Sequence, residues 1–233
     1  MFVKNYRVFL AVCMCLALLG GCAKGTESAK GAKGAKSTED ANAHKPGDLI
    51  KDSVVALKML KDGNARYLKG ALTDKSTYAA DRETLSGGQK PFAVVLTCAD
   101  SRVAPEIFFD QKLGDIFTIR NAGNVVDTTV LGSIEYAVEH LKSVLVIVSG
   151  HSKCGAVTAA CSSDDKHPLP PNIESIVARI KPSVQPGRDV EQVVQYNVKH
   201  MVEQIKENKI IEELGVKVLG SYYNIQTGAV EWL

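Results

Sequence analysis

The chain has 233 residues, 45% of them hydrophobic and 23% charged, which suits one globular domain with a full-sized core. Its formal net charge of +2 is too near neutral to call for nucleic acid or an acidic polymer as partner. Much of the small positive excess lies in the N-terminal tail rather than in the part that can fold.

Lys4 and Arg7 precede the apolar run VFLAVCMCLALLGG, which is short for a bilayer span. A charged start followed by such a run reads as a secretory signal over residues 1–21. Leu19, Gly20 and Gly21 stand directly before Cys22. They resemble a bacterial lipobox, whose Cys carries a diacylglycerol and opens the mature protein. The expectation is an exported protein held to a membrane of the cell envelope through Cys22. Ala23, not Asp, follows that Cys, which in a Gram-negative cell resembles an address on the periplasmic face of the outer membrane. An ordinary signal peptide, or an uncleaved anchor, is the plainer alternative. Residues 22–47 are rich in Lys, Gly, Ala and Ser, with a short AKG repeat. They read as a flexible tether, in which His44 is expected to be solvated.

The folded part is expected over residues 48–233, with Asp48 as the N-cap of a first helix. Leu49, Ile50, Val54, Leu57, Leu60, Tyr67 and Leu68 recur there at helical spacing. PFAVVLT, ending just before Cys98, is a continuous β-branched run of the kind buried on both faces of a sheet. IFTIR (116–120) is a second, shorter strand. Residues 130–141 form an amphipathic helix, with Leu131, Ile134, Ala137, Val138 and Leu141 on one side. SVLVIVSG (143–150) is a third buried strand, and CGAVTAAC opens another helix. Prolines near 168–171 and at 182 and 186 punctuate a helical insert, where His167 reads as solvated. A long amphipathic helix, a strand and an edge strand are expected to close the chain. Strands alternating with helices argue for an α/β fold with a mainly parallel central sheet of about four strands plus an edge strand, flanked by helices.

Three cysteines remain beyond Cys22: Cys98, Cys154 and Cys161. An odd number suits a disulfide framework poorly. The first and third buried strands end at CADSR and GHSKC, and sites in parallel sheets lie beyond the carboxyl ends of strands. Cys98, His151 and Cys154 therefore face one edge. Two sulfurs and one imidazole suit Zn²⁺, with a fourth position left for water, which zinc converts to hydroxide near neutral pH. Asp100 and Arg102 lie two apart and point the same way on an extended segment. The guanidinium keeps the carboxylate ionised, ready to orient that hydroxide. Released from Arg102, the same Asp100 would be able to close the site as a fourth ligand. A Cys98–Cys154 disulfide is the competing reading, and Cys161 reads as a helix-packing residue.

CADSRVAPE, GDIFTIRNAGN, SIEYAVEHL and GHSKCGAV resemble, in order, the motifs of the β-class carbonic anhydrases. The similarity runs from about Gly63 to the C-terminus. It implies the β-carbonic anhydrase fold and reversible hydration of CO2 to bicarbonate and a proton. It implies one Zn²⁺ per subunit on Cys98, His151 and Cys154, with Asp100 and Arg102 as catalytic dyad, in a homodimer or tetramer. For the CO2 pocket it implies Gln89, Phe117 and Gly155, with Tyr136 reaching in from a partner subunit, and Tyr136 and His140 as a proton-transfer pair. His140 as a plain helix-surface residue is the alternative. The subset of the family that bicarbonate switches off carries Trp three residues before its first Cys. Here that residue is Val95, which favours the open, plant-like subset. Two rival functions remain: a hydrolase of carbonyl sulfide or carbon disulfide on the same fold, and a non-catalytic zinc-binding envelope lipoprotein.

Overall fold

The computed structural model describes residues 44–163 and 168–233. The signal, Cys22, most of the tether and His167 lie outside them. Helix α1 (Ser53–Leu68) leads to α2 (Tyr78–Leu85), β1 (Ala93–Cys98) and α3 (Pro105–Phe108). β2 (Ile116–Asn121), α4 (Thr128–Glu139), β3 (Leu145–His151), α5 (Gly155–Ser162) and α6 (Pro171–Ile180) follow. α7 (Val190–Lys206), α8 (Lys209–Glu213), β4 (Lys217–Tyr223) and β5 (Val230–Trp232) complete the chain.

The five strands lie in the order β2-β1-β3-β4-β5, parallel except for β5, which runs antiparallel to β4. Every residue of β1 and β3 is buried, because successive side chains enter two cores. Val94, Leu96 and Cys98 of β1, with Val146 and Val148 of β3, face a core that includes residues of α4, α5, α6 and α7. Ala93, Val95, Leu145 and Ile147 face the other, against Ala56, Met59 and Leu60 of α1 and Phe108 and Phe109. The period-2 alternation thus lies hidden within runs that are apolar throughout.

The chain leaves β1 toward β2, then returns past β1 to β3 on its other side. The carboxyl ends of β1 and β3 are therefore neighbours where strand order reverses, with Thr97 opposite Ser149. In open α/β sheets, ligand sites lie at such a reversal.

Three expectations about the N-terminal part are corrected. Asp52, not Asp48, caps α1, accepting the Val54 amide at 2.7 Å, while the Asp48 carboxylate accepts the Lys45 amide. The buried face of α1 is Ala56, Met59, Leu60, Gly63 and Asn64, whereas Leu49, Val54 and Leu68 are exposed. Gly63 sets this rotation: a Cβ there would lie 1.7 Å from the Phe109 carbonyl oxygen, so only glycine lets backbone meet backbone. His44 is not solvated; its side chain is 10% exposed and its Nε2 lies 2.7 Å from Asp115 Oδ1.

A buried carboxylate ties α1 to the turn after α3. The Asp110 side chain is fully buried and accepts Arg66 Nε at 2.6 Å and Thr73 Oγ1 at 2.7 Å, with Lys75 Nζ 3.2 Å away. Burial alone would raise its pKa; Arg66, Thr73 and Lys75 outweigh that and hold the carboxyl below its usual range. A depressed folded-state value gives stability that is present above the unfolded carboxylate's pKa of about 4 and lost as pH falls through the folded value. Asp110→Asn, which tolerates the residue's positive φ, is expected to cost about 3 kcal/mol at neutral pH by urea denaturation. The gap to wild type is expected to shrink on acidification; a gap that is constant with pH would contradict the assignment.

Candidate metal centre

The β1/β3 reversal brings together Cys98, His151 and Cys154, all buried. Their ligand atoms lie within 4.8 Å of one another. Cys98 is the last residue of β1 and His151 the last of β3; Cys154 is the N-cap of α5. His151 Nδ1 bonds the Ser152 carbonyl at 2.9 Å. That bond places the proton on Nδ1 and turns the Nε2 lone pair inward. Nε2 is buried and has no hydrogen-bond partner. A buried imidazole nitrogen facing two sulfurs without a partner is a polar group left unsatisfied unless a cation fills the space.

The sulfur electrostatics agree. The neighbouring Cys154 thiol outweighs burial and pulls Cys98 down to about 4, helped by His151 and by the amides of Gly123 and Asp100. The Gly123 amide lies 3.3 Å from Cys98 Sγ. The Cys98 sulfur and burial push Cys154 up, against the amides of Val157 and Ala156 at the start of α5. Without a cation, the two sulfurs share a proton; a divalent ion would take both as thiolates. Burial opposes charge on His151, but the Cys98 sulfur outweighs it and raises the imidazole pKa. No disulfide joins these cysteines. Cys161 is half-buried against the α4–α7 core, a packing role.

Beside the triad, Arg102 grips Asp100 in a two-pronged pair, Nε to Oδ1 at 2.9 Å and Nη2 to Oδ2 at 2.7 Å. The Arg102 amide adds a bond to Oδ1 at 3.0 Å. Arg102 is the main reason that the Asp100 carboxyl is held far below the usual range. Arg102 therefore keeps Asp100 ionised at neutral pH and well into the acid range.

Arg120 is a site residue that the sequence reading missed. From the adjoining strand its Nε bonds the Cys98 carbonyl at 3.1 Å and its Nη2 the Asp100 carbonyl at 2.7 Å. It fixes the backbone that presents both side chains. A charged residue near the carboxyl end of an apolar strand, IFTIR, was the available signal. Gly123 is a second: its φ of 76° and the tight packing of Ile180 against it admit no side chain, and its carbonyl accepts the Asn197 side chain.

Gly155 opens α5 next to Cys154 and stays at this edge. Gln89, Phe117, Tyr136 and His140 do not. Gln89 precedes β1, and β1 alone extends roughly 17 Å before reaching Cys98. Phe117 pairs with Val94, four residues and roughly 13 Å short of the Cys98 level. Tyr136 sits near Phe117, ring centroids 6.3 Å apart, and near His140 at 5.4 Å. Tyr136 is 47% exposed and Gln89 lines a surface cleft. Within one subunit these residues belong to the opposite half of the sheet.

Fold and site together define a parallel α/β protein with a Cys/His/Cys cation site at its strand-order reversal. Known proteins agree. The family model described as carbonic anhydrase matches residues 93–230. A carbonic anhydrase of Mycolicibacterium smegmatis is 42% identical over 189 residues, 76% of this chain and 92% of that one. Carbonic anhydrase 2 of Mycobacterium tuberculosis is 46% identical over 155 residues, 65% of this chain and 75% of its own length. The solved Coccomyxa β-carbonic anhydrase in complex with acetazolamide superposes with a TM-score of 0.62 at 27% identity, covering 76% of this chain and 86% of that one. The chain belongs to the carbonic anhydrase family, in its β class.

Cys154→Ser is expected to lower bound metal, measured by atomic absorption on purified protein, from about one ion per chain to a small fraction of that. Cys161→Ser is expected to leave it unchanged. Equal metal in both variants would contradict the ligand assignment.

Proposed function

We propose that the chain catalyses the reversible hydration of CO2 to bicarbonate and a proton, with Zn²⁺ as the metal. The observation that carries this reading is the buried Cys98–His151–Cys154 triad, with its unpartnered Nε2, set beside an Asp100 held by Arg102 in a two-pronged pair. The donor set of two sulfurs and one imidazole fits zinc. Zinc in such a site supplies Lewis acidity that makes water a nucleophile near neutral pH. Asp100 contributes a fixed hydrogen-bond acceptor that can orient that nucleophile: Oδ1 takes both the Arg102 amide and Nε, whereas Oδ2 takes Nη2 and keeps a lone pair for that bond. Its engagement with Arg102 supports the open form, as Val95 does. Carbon dioxide has no charge and needs apolar walls with one polar donor. As its carbon is attacked, charge builds on oxygen, where an amide such as that of Gln89 lowers the barrier.

Gln89, Phe117, Tyr136 and His140 serve this chemistry only in the pocket of a second subunit, since their own triad lies across the sheet. A pocket shared in this way makes a homodimer the minimum assembly. The hydrolase and the non-catalytic readings have no observation favouring them; the dyad in working geometry speaks against a vestigial site.

Asp100→Asn is expected to keep full zinc and lose at least about 100-fold in kcat by stopped-flow CO2 hydration. Gln89→Ala is expected to keep zinc and lower kcat/KM by about tenfold or more. Co-expressed, the two variants form mixed dimers in which one metal site has both Asp100 and a partner's Gln89. Activity above the sum of the separate variants is expected; simple additivity would contradict the two-subunit pocket.

The sequence also supports a lipid anchor at Cys22 and an envelope location. Cys22→Ala is expected to move the protein from the membrane fraction to the soluble fraction. Unchanged fractionation would refute the anchor.

A further inference from the structure

His44 begins the described chain within a stretch whose composition is that of a tether, yet it is docked. Its Nε2 meets Asp115 Oδ1 at 2.7 Å, and Asp115 is 3% exposed. The other ring nitrogen is buried without a partner, so the Asp115 contact is the side chain's polar hold. The ring lies edge-on to Phe92, centroids 6.2 Å apart, and the His44 carbonyl accepts Lys112 Nζ at 3.5 Å. Asp115 is itself fixed: its Oδ2 accepts the Lys112 amide at 2.7 Å and its carbonyl accepts the Phe92 amide at 2.9 Å.

The turn after His44 reaches the loop that carries Gln89. The Asp48 amide bonds the Lys45 carbonyl at 3.1 Å, and Gly47, at φ 84°, lies against Leu85. Leu85 also packs on Gly114, next to Asp115. Pro46 and Gly47 form one wall of a cleft of about 300 Å³; Thr84, Leu85, Gly87, Gly88, Gln89 and Lys90 form the other. The loop has little packing of its own. Residues 86–90 are all exposed, and a Cβ at Gly87 or Gly88 would meet nothing.

We propose that His44, docked on Asp115, is a positioning residue that holds the Gln89 loop in its working conformation, so that the end of the tether is part of the CO2 pocket's frame. This rests on the reading of Gln89 as a pocket residue. Docking costs the tether its freedom once, on folding, instead of at each turnover. The His44–Asp115 pair meets the segment that leads from Gln89 into β1 at one residue: Asp115 accepts the Phe92 amide, and the His44 ring lies against the Phe92 ring.

Two amides report the loop: Gly88, bonded to the Leu85 carbonyl at 3.1 Å, and Phe92. In the full-length, zinc-loaded chain, His44→Ala is expected to speed hydrogen exchange at both by about tenfold, with the amides of β3 unchanged. It is expected to lower kcat/KM for CO2 several-fold with zinc content kept. His44→Gln, whose amide reaches the place of Nε2, is expected to restore both. Unchanged exchange at Gly88 and Phe92, or acceleration throughout the sheet, overturns the proposal. Gln89→Ala measured alongside separates the premise: if it leaves kcat/KM intact, the Gln89 reading fails, and the positioning role falls with it whatever the exchange shows.

Discussion

The reversal of strand order between β1 and β3 is the constraint on which the rest depends. Two parallel strands that are neighbours in the sheet but distant in sequence end side by side, and their loops diverge. Cys98 arrives from one end, His151 and Cys154 from the other. The backbone around them is then fixed from outside: Arg120 holds the carbonyls of Cys98 and Asp100, and Ser152 sets the His151 tautomer. Burial leaves His151 Nε2 without a partner, a deficit that a cation would satisfy. A rigid, desolvated donor set of this kind suits catalysis because little reorganisation remains for the reaction itself.

Charge at the site is arranged in two tiers. The triad tends to share protons in the absence of metal, whereas Asp100, outside it, is ionised by a two-pronged guanidinium. The division lets one group of residues hold the ion and another orient what binds to it by accepting a hydrogen bond. It also explains why Arg102 matters without touching the metal ligands: freed from it, Asp100 becomes a carboxylate beside a cation site and a potential competitor for the open position.

Much of this was legible in the sequence because the governing signals are local. The apolar runs ending at CADSR and GHSKC located both strands, and the strand-end rule placed the triad on one edge. The parallel sheet and the edge strand followed from alternation of elements. The face of α1 was misread because apolar spacing is satisfied by exposed Val54 and Leu68, while the true contact is set by Gly63, a residue with no side chain to count. Arg120 was missed because its role is to bond backbone carbonyls from the adjoining strand, a long-range pairing with no local mark. His44 was misjudged because composition describes a segment on average, and its docking depends on a buried Asp115 seventy-one residues away. Gln89, Phe117 and Tyr136 were placed in the pocket by resemblance; that they lie on the opposite half of the sheet from their own triad follows only from strand direction and register.

The central claim is that this chain, with zinc on Cys98, His151 and Cys154 and Asp100 engaged by Arg102, hydrates CO2 through an open site. Stopped-flow CO2 hydration by the native zinc-loaded oligomer, followed from mildly acidic to alkaline pH, tests it most directly. The account predicts turnover that persists near neutral pH. Turnover confined to alkaline pH would mean that Asp100 leaves Arg102 to close on the metal, and no turnover at any pH with zinc bound would contradict the assignment of function.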